Sequence, residues 1–245
     1  FGRVVAPLPE SYRRLQDGDR IELGEETWEV VVGRGHSPEH ACLYNESRNV
    51  LIAGDQILPT ISSNVSVWPT EPAANPLLDW FESITALEDR LPPDVLVLPA
   101  HEAPFHGLHV RLSQIIEAHK QDLVALFAWL DEPKRAVDCF PALFRRKIDA
   151  GNISLATGET LAHLNCLLGR RRITLYRGWI DHHGYRRKAT AQHGQNVANG
   201  GTRRRRDYAD AVRQRRQGLL TVLVEEALGF ELPLEHVEAA LEDAF

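Results

Sequence analysis

Three residues of metal-ligating type stand just past the ends of hydrophobic runs. His36 follows VVVGRG, Asp55 follows VLIAG and His101 follows VLVLPA. Imidazole nitrogen and carboxylate oxygen suit a borderline divalent ion such as zinc. A buried strand that delivers a polar residue from its C-terminal tip builds a site on a rigid frame. Gly35 and Gly54 immediately precede His36 and Asp55, where a chain that turns sharply needs freedom of φ. The separations, 36 to 55 to 101, form no local motif. Taken singly, each residue is equally an ordinary solvated loop histidine or turn aspartate.

The elements that would position these residues can be read from periodicity. Residues 18–57 alternate as β structure. Four strands are expected at Arg20–Leu23, Thr27–Val32, Ala41–Tyr44 and Val50–Ala53, with turns at Gly24–Glu25 and Asn45–Arg48. Prolines 59, 69, 72 and 76 mark a loop. Leu78, Trp80, Phe81, Ile84 and Leu87 predict a helix over Pro76–Arg90, and VLVLP at 95–99 a buried strand. The longest helical pattern runs over 108–130. Beyond it the order is helix at Val137–Phe144, a short helical piece at Arg145–Asp149, a helix at Leu155–Leu168 with its N-terminal region near Thr157–Glu159, then a strand at Ile173–Tyr176. That is the order of a small winged helix-turn-helix unit.

Composition is that of a soluble globular protein, with 245 residues, 43% apolar and 25% charged. No stretch is apolar enough to span a bilayer, and FGRVVAPLPESY lacks the features of a signal peptide. Cys42, Cys139 and Cys166 form no CxxC pair and read as reduced thilos of a cytoplasmic protein. The net charge of −6 is unevenly spread. Residues 170–216 hold 14 of the 28 Lys and Arg and three acids, whereas 217–245 hold seven acids and neither Lys nor Arg.

Together, GRGHSPEH, GDQILPTISSNVSVWP (54–69) and PAHEAPFHGLHVR (99–111) resemble the third, fourth and fifth metal-binding motifs of the metallo-β-lactamase superfamily, in order. They are similar to a bacterial hydrolase branch with a C-terminal winged-helix domain, whose signature LFRRKIDAGNISLATGETLAHLNCLL (143–168) resembles. The resemblance covers residues 7–188. It implies an α/β fold: the C-terminal part of an αββα sandwich at 1–131, then an α-helical winged-helix domain at 132–188. A basic linker (189–206) and a helical tail (207–245) would follow. It further implies two zinc ions, with His36 on the first, His101 on the second and Asp55 bridging as the catalytic carboxylate. His40 is not a family ligand and reads as a packed or hydrogen-bonded histidine. Asn64, His106 and Arg111 are candidate substrate contacts, equally readable as structural polar residues.

The family's remaining ligands come from an HxHxDH motif far upstream of the His36 motif. No HxHxDH occurs here, and the adjacent His182 and His183 do not replace it. The resemblance therefore implies a piece of a longer bacterial protein, inactive by itself. In the complete protein the implied reaction is hydrolysis of a thioester or other acyl substrate, as in hydroxyacylglutathione hydrolases. Phosphodiester cleavage in RNA or DNA is the alternative, and a non-catalytic nucleic-acid-binding or interaction fragment is a third reading. Against nucleic acid, Leu155–Leu168 is short of basic residues where a recognition helix would need them. The apolar face of Leu219, Leu220, Leu223, Val224, Ala227 and Leu228 would dock on the protein or on a partner, and a homodimer stays open.

Overall fold

Alternation of apolar and polar residues from Arg20 to Gly54 yields four antiparallel strands in the computed structural model, which describes residues 9–177 and 183–187. They are β1 (Arg20–Leu23), β2 (Glu26–Gly33), β3 (His40–Asn45) and β4 (Val50–Gly54). Helix α1 (Pro76–Arg90) leads to β5 (Leu96–Pro99), which pairs parallel to β4. The sheet is mixed, in the order β1-β2-β3-β4-β5. An α/β crossover is what a parallel neighbour requires. Asn75 and Pro76 open α1: Pro has no N–H to lose there, and the Leu78 amide donates to the Asn75 Oδ1 at 3.4 Å.

Helix α2 (Leu108–Trp129) follows β5, then a 3-10 turn (Ala136–Cys139), the single turn α3 (Phe140–Leu143), helix α4 (Ile153–Gly169) and an antiparallel ribbon of β6 (Ile173–Arg177) and β7 (His183–Arg187). The contacts separate two units. The sheet unit comprises 1–63 and 82–112; the helical unit comprises 64–81 and the chain from 113 onward. Among the described residues, Val30, Val31, Leu51, Ala53, Ile84, Leu87 and Val97 form the core of the first, and Val65, Trp80, Leu123, Leu126, Ala162, Leu164 and Leu167 that of the second. Cys42, Cys139 and Cys166 are free and buried. No described helix is long and apolar enough to cross a membrane.

Three expectations need correction. Arg145–Asp149 is not helical. Phe144 turns to extended backbone (φ −124°, ψ 117°), and side chains claim the next amides: Asp149 N–H donates to Asn152 Oδ1 (2.8 Å) and Gly151 N–H to Asp149 Oδ1 (2.9 Å). Such local bonds compete with helix formation. Val137–Phe144 is two short turns rather than one helix, with Pro141 unable to donate. Finally, α4 begins at Ile153, before the expected start, and Thr157 lies inside it with its Oγ1 donating to the Ile153 carbonyl (2.7 Å). The expected linker at 189–206 and tail at 207–245 lie outside the described residues.

Candidate metal centre at the sheet rim

Strand direction decides where the three polar residues emerge. β2 and β4 are each antiparallel to β3, and β5 is parallel to β4. The C-terminal ends of β2, β4 and β5 therefore share one rim, and the start of β3 joins them there. His36, Asp55 and His101 follow those three ends, and His40 opens β3. A backbone bond from Ala100 N–H to the Gly54 carbonyl (2.9 Å) seats His101 beside Asp55.

The side chains converge. His36 Nε2 stands 3.9 Å from Asp55 Oδ2, and His101 Nε2 stands 3.2 Å from Asp55 Oδ1. The two imidazoles thus address different oxygens of one carboxylate. That is the donor arrangement a bridging carboxylate would present to two divalent ions, so the residues fit such a pair. The side chains of His36 and Asp55 are 27% and 35% exposed and that of His101 is 65% exposed, which leaves the rim open to a ligand.

Several neighbours hold this geometry. Gly54 has φ +54°, and a Cβ there would come within 2.5 Å of His40 Nε2. Only glycine combines that backbone with so close an approach. Burial lowers the pKa of His40, as does His36, against the pull of Asp55. Gln56, fully buried, donates to the Arg34 carbonyl at 3.0 Å, and the Arg34 amide donates to Ser83 Oγ at 2.9 Å. Gln56 thereby ties the loop bearing Asp55 to the loop bearing His36. Glu102 accepts from the Thr60 amide (3.1 Å) and hydroxyl, which ties the loop of His101 to the segment after Asp55. Sequence reasoning missed Gln56 and Glu102, because neither lies in a periodic pattern that announces a contact.

The three candidate substrate contacts have structural partners. Arg111 donates from Nε to the Leu58 carbonyl (2.7 Å) and from an Nη to the Ile61 carbonyl (2.8 Å), bracing the segment after Asp55. His106 is exposed, and its Nδ1 donates to the Asp94 carbonyl at 2.9 Å. Asn64 belongs to the helical unit, where its Nδ2 donates to Glu159 Oε2 at 3.1 Å and its Oδ1 accepts from the Ser66 hydroxyl.

A mixed sheet whose strand ends gather two histidines and an aspartate agrees with the family comparisons. Residues 3–101 match the family model "Metallo-beta-lactamase superfamily", and residues 123–187 match "Metallo-beta-lactamase-like, C-terminal domain". Both models are of the metallo-β-lactamase superfamily, whose fold implies divalent-metal binding. It is similar to a β-lactamase domain protein from Burkholderia ambifaria, with 41% identity and a TM-score of 0.73 over 76% of this chain and 56% of that one. It is also similar to the "Probable metallo-hydrolase YqjP" of Bacillus subtilis, 26% identical over 67% of this chain and 51% of the relative. A hydroxyacylglutathione hydrolase of Hydrogenovibrio crunogenus is 26% identical over 52% of this chain and 44% of the relative. The chain thus spans about half the length of the curated relatives it matches.

Proposed function

We propose that the chain carries part of the metal centre of a hydrolase that acts on a thioester or other acyl substrate, with zinc as the metal. The observation that carries this reading is the facing of His36 Nε2 and His101 Nε2 toward different oxygens of Asp55. His36 would hold one ion, His101 the other, and Asp55 would bridge them. Bound there, the ion pair would supply an activated water and stabilisation of a developing oxyanion. This chain's residues contribute the frame. Gln56 and Glu102 fix the three loops, and His40 lies close against Gly54, next to Asp55 in the chain. The acyl preference rests on the similarity to the hydroxyacylglutathione hydrolase. RNA or DNA phosphodiester cleavage is the reading it competes with. The segment 132–188 would be a winged-helix module that packs and shapes the protein rather than reading nucleic acid, since Leu155–Leu168 contains no Lys or Arg.

The test is a paired assay of the longer parent protein, loaded with zinc, on S-acyl glutathione and on a phosphodiester. Turnover of the thioester that disappears with Asp55→Asn supports the proposal. Phosphodiester turnover alone, or thioester turnover that survives Asp55→Asn, overturns it.

A further inference from the structure

The helical unit contains a second constellation of ligating groups. His119 and Asp122 lie three residues apart on α2, a spacing that puts both on one helix face. His163 on α4 meets them, and one ligand atom from each of the three lies within 4.8 Å of the other two. His119 and His163 are only 2% and 1% exposed, while Asp122 is half-buried.

The hydrogen bonds fix the state of one ring. His163 Nδ1 lies 2.9 Å from the Glu159 carbonyl, which can only accept, so the proton is on Nδ1. Its Nε2 therefore turns a lone pair toward His119 Nδ1, 3.4 Å away. Metal-ligating histidines commonly donate their other N–H to such a carbonyl. The 3.4 Å separation is longer than an ordinary hydrogen bond. It is close to the edge of a zinc tetrahedron, since nitrogens at roughly 2.0–2.1 Å from the ion stand about 3.3–3.4 Å apart. Trp80 and Phe81 meet the His119 ring edge-on at centroid distances of 6.4 and 6.2 Å, which holds its orientation.

The local charge favours a cation. Burial, with His163 for His119, pushes the two imidazoles down to about 3 and about 4, so both rings are neutral, the form that binds metal. Burial pushes the Asp122 carboxyl up to about 6, and burial with the neighbouring Asp122 pushes Glu159 up to about 7. Two half-buried carboxyl groups that repel one another beside two neutral imidazoles are what a divalent ion would stabilise.

We propose that His119, Asp122 and His163 form a divalent-cation site of zinc type that cross-links α2 and α4 inside the helical unit. With both histidines buried the site is structural, an ion held between two helices. The inference does not depend on the rim centre or its chemistry.

The test uses the full chain, stripped by chelation and titrated with cobalt(II), then zinc. It is run on the parent and on a variant with His36→Ala, Asp55→Asn and His101→Ala, which silences the rim. The rim-silenced chain is expected to bind one ion with the absorption bands of tetrahedral cobalt. Asp122→Asn and, separately, His163→Gln should each weaken that ion by at least about tenfold. Asp122→Asn in the otherwise native chain should weaken one equivalent by the same factor, which guards against misfolding of the silenced variant. No ion bound in the silenced chain while it remains folded, or an affinity that Asp122→Asn leaves unchanged, would make the cluster an ordinary buried hydrogen-bond network and overturn the proposal.

Discussion

Two histidine–aspartate clusters in one chain are built in opposite ways. At the rim, His36, Asp55 and His101 come from loops after three strand ends and remain accessible, with His101 65% exposed. In the helical unit, His119 and His163 project from helix interiors and are almost wholly buried. Loops at strand ends leave coordination positions for substrate, whereas two helices packed on each other close over whatever they hold. The difference teaches that a similar donor set can serve chemistry or cohesion, according to the element that presents it.

The comparison can be broken most forcefully from beneath the rim. Leu51 is fully buried in β4, four residues before Asp55. Leu51→Ala should cost about 2–5 kcal/mol in urea unfolding. A cost well under about 1 kcal/mol would mean that the sheet does not carry the rim. Asp55→Asn tests the contrast directly. It leaves one carbonyl oxygen where two faced the histidines, and should weaken zinc uptake at the rim by about 10–100-fold in equilibrium dialysis. Circular dichroism should stay unchanged, and so should any ion held at His119 and His163.

Gln56→Leu sharpens the claim that loops, rather than helices, position the rim. Loss of the bond to the Arg34 carbonyl should cost about 1 kcal/mol of stability and about tenfold in rim zinc affinity. Stability loss with unaltered zinc affinity would reduce Gln56 to a packing residue. The smallest effect is at the opposite end of β2 from His36. Hydrogen bonds from Arg48 and then Asn45 hold the Glu26 carboxyl down to about 2. Because the folded value lies below the ordinary 4.5, the stabilisation is fully present above that value. It is lost as pH falls through about 2. NMR titration of Arg48→Ala should show Glu26 moving back toward its ordinary range, with zinc uptake at the rim untouched.

Much of the rim was legible beforehand because its residues interrupt hydrophobic runs. VLIAGD and VLVLPAH announce a buried strand that ends in a polar group. Gln56 and Glu102 were not legible, because each acts on a residue far along the chain: Arg34 for one and Thr60 for the other. The helical cluster sent a partial signal. His119 and Asp122 stand three apart inside a strongly periodic helix, but His163 comes from another helix 44 residues later. The short piece at Arg145–Asp149 misled because propensity ignores the side-chain bonds of Asp149 and Asn152 to backbone amides.

By itself the sequence determined the strands, the long helices and the residue types at their ends, since those follow from local periodicity and from turn residues such as Gly54. Only the tertiary structure decided which ends share a rim, which oxygen of Asp55 each histidine faces, and that His163 meets His119. Those relations depend on strand pairing and helix packing between segments distant in the chain, and a one-dimensional pattern carries no direct record of such distances.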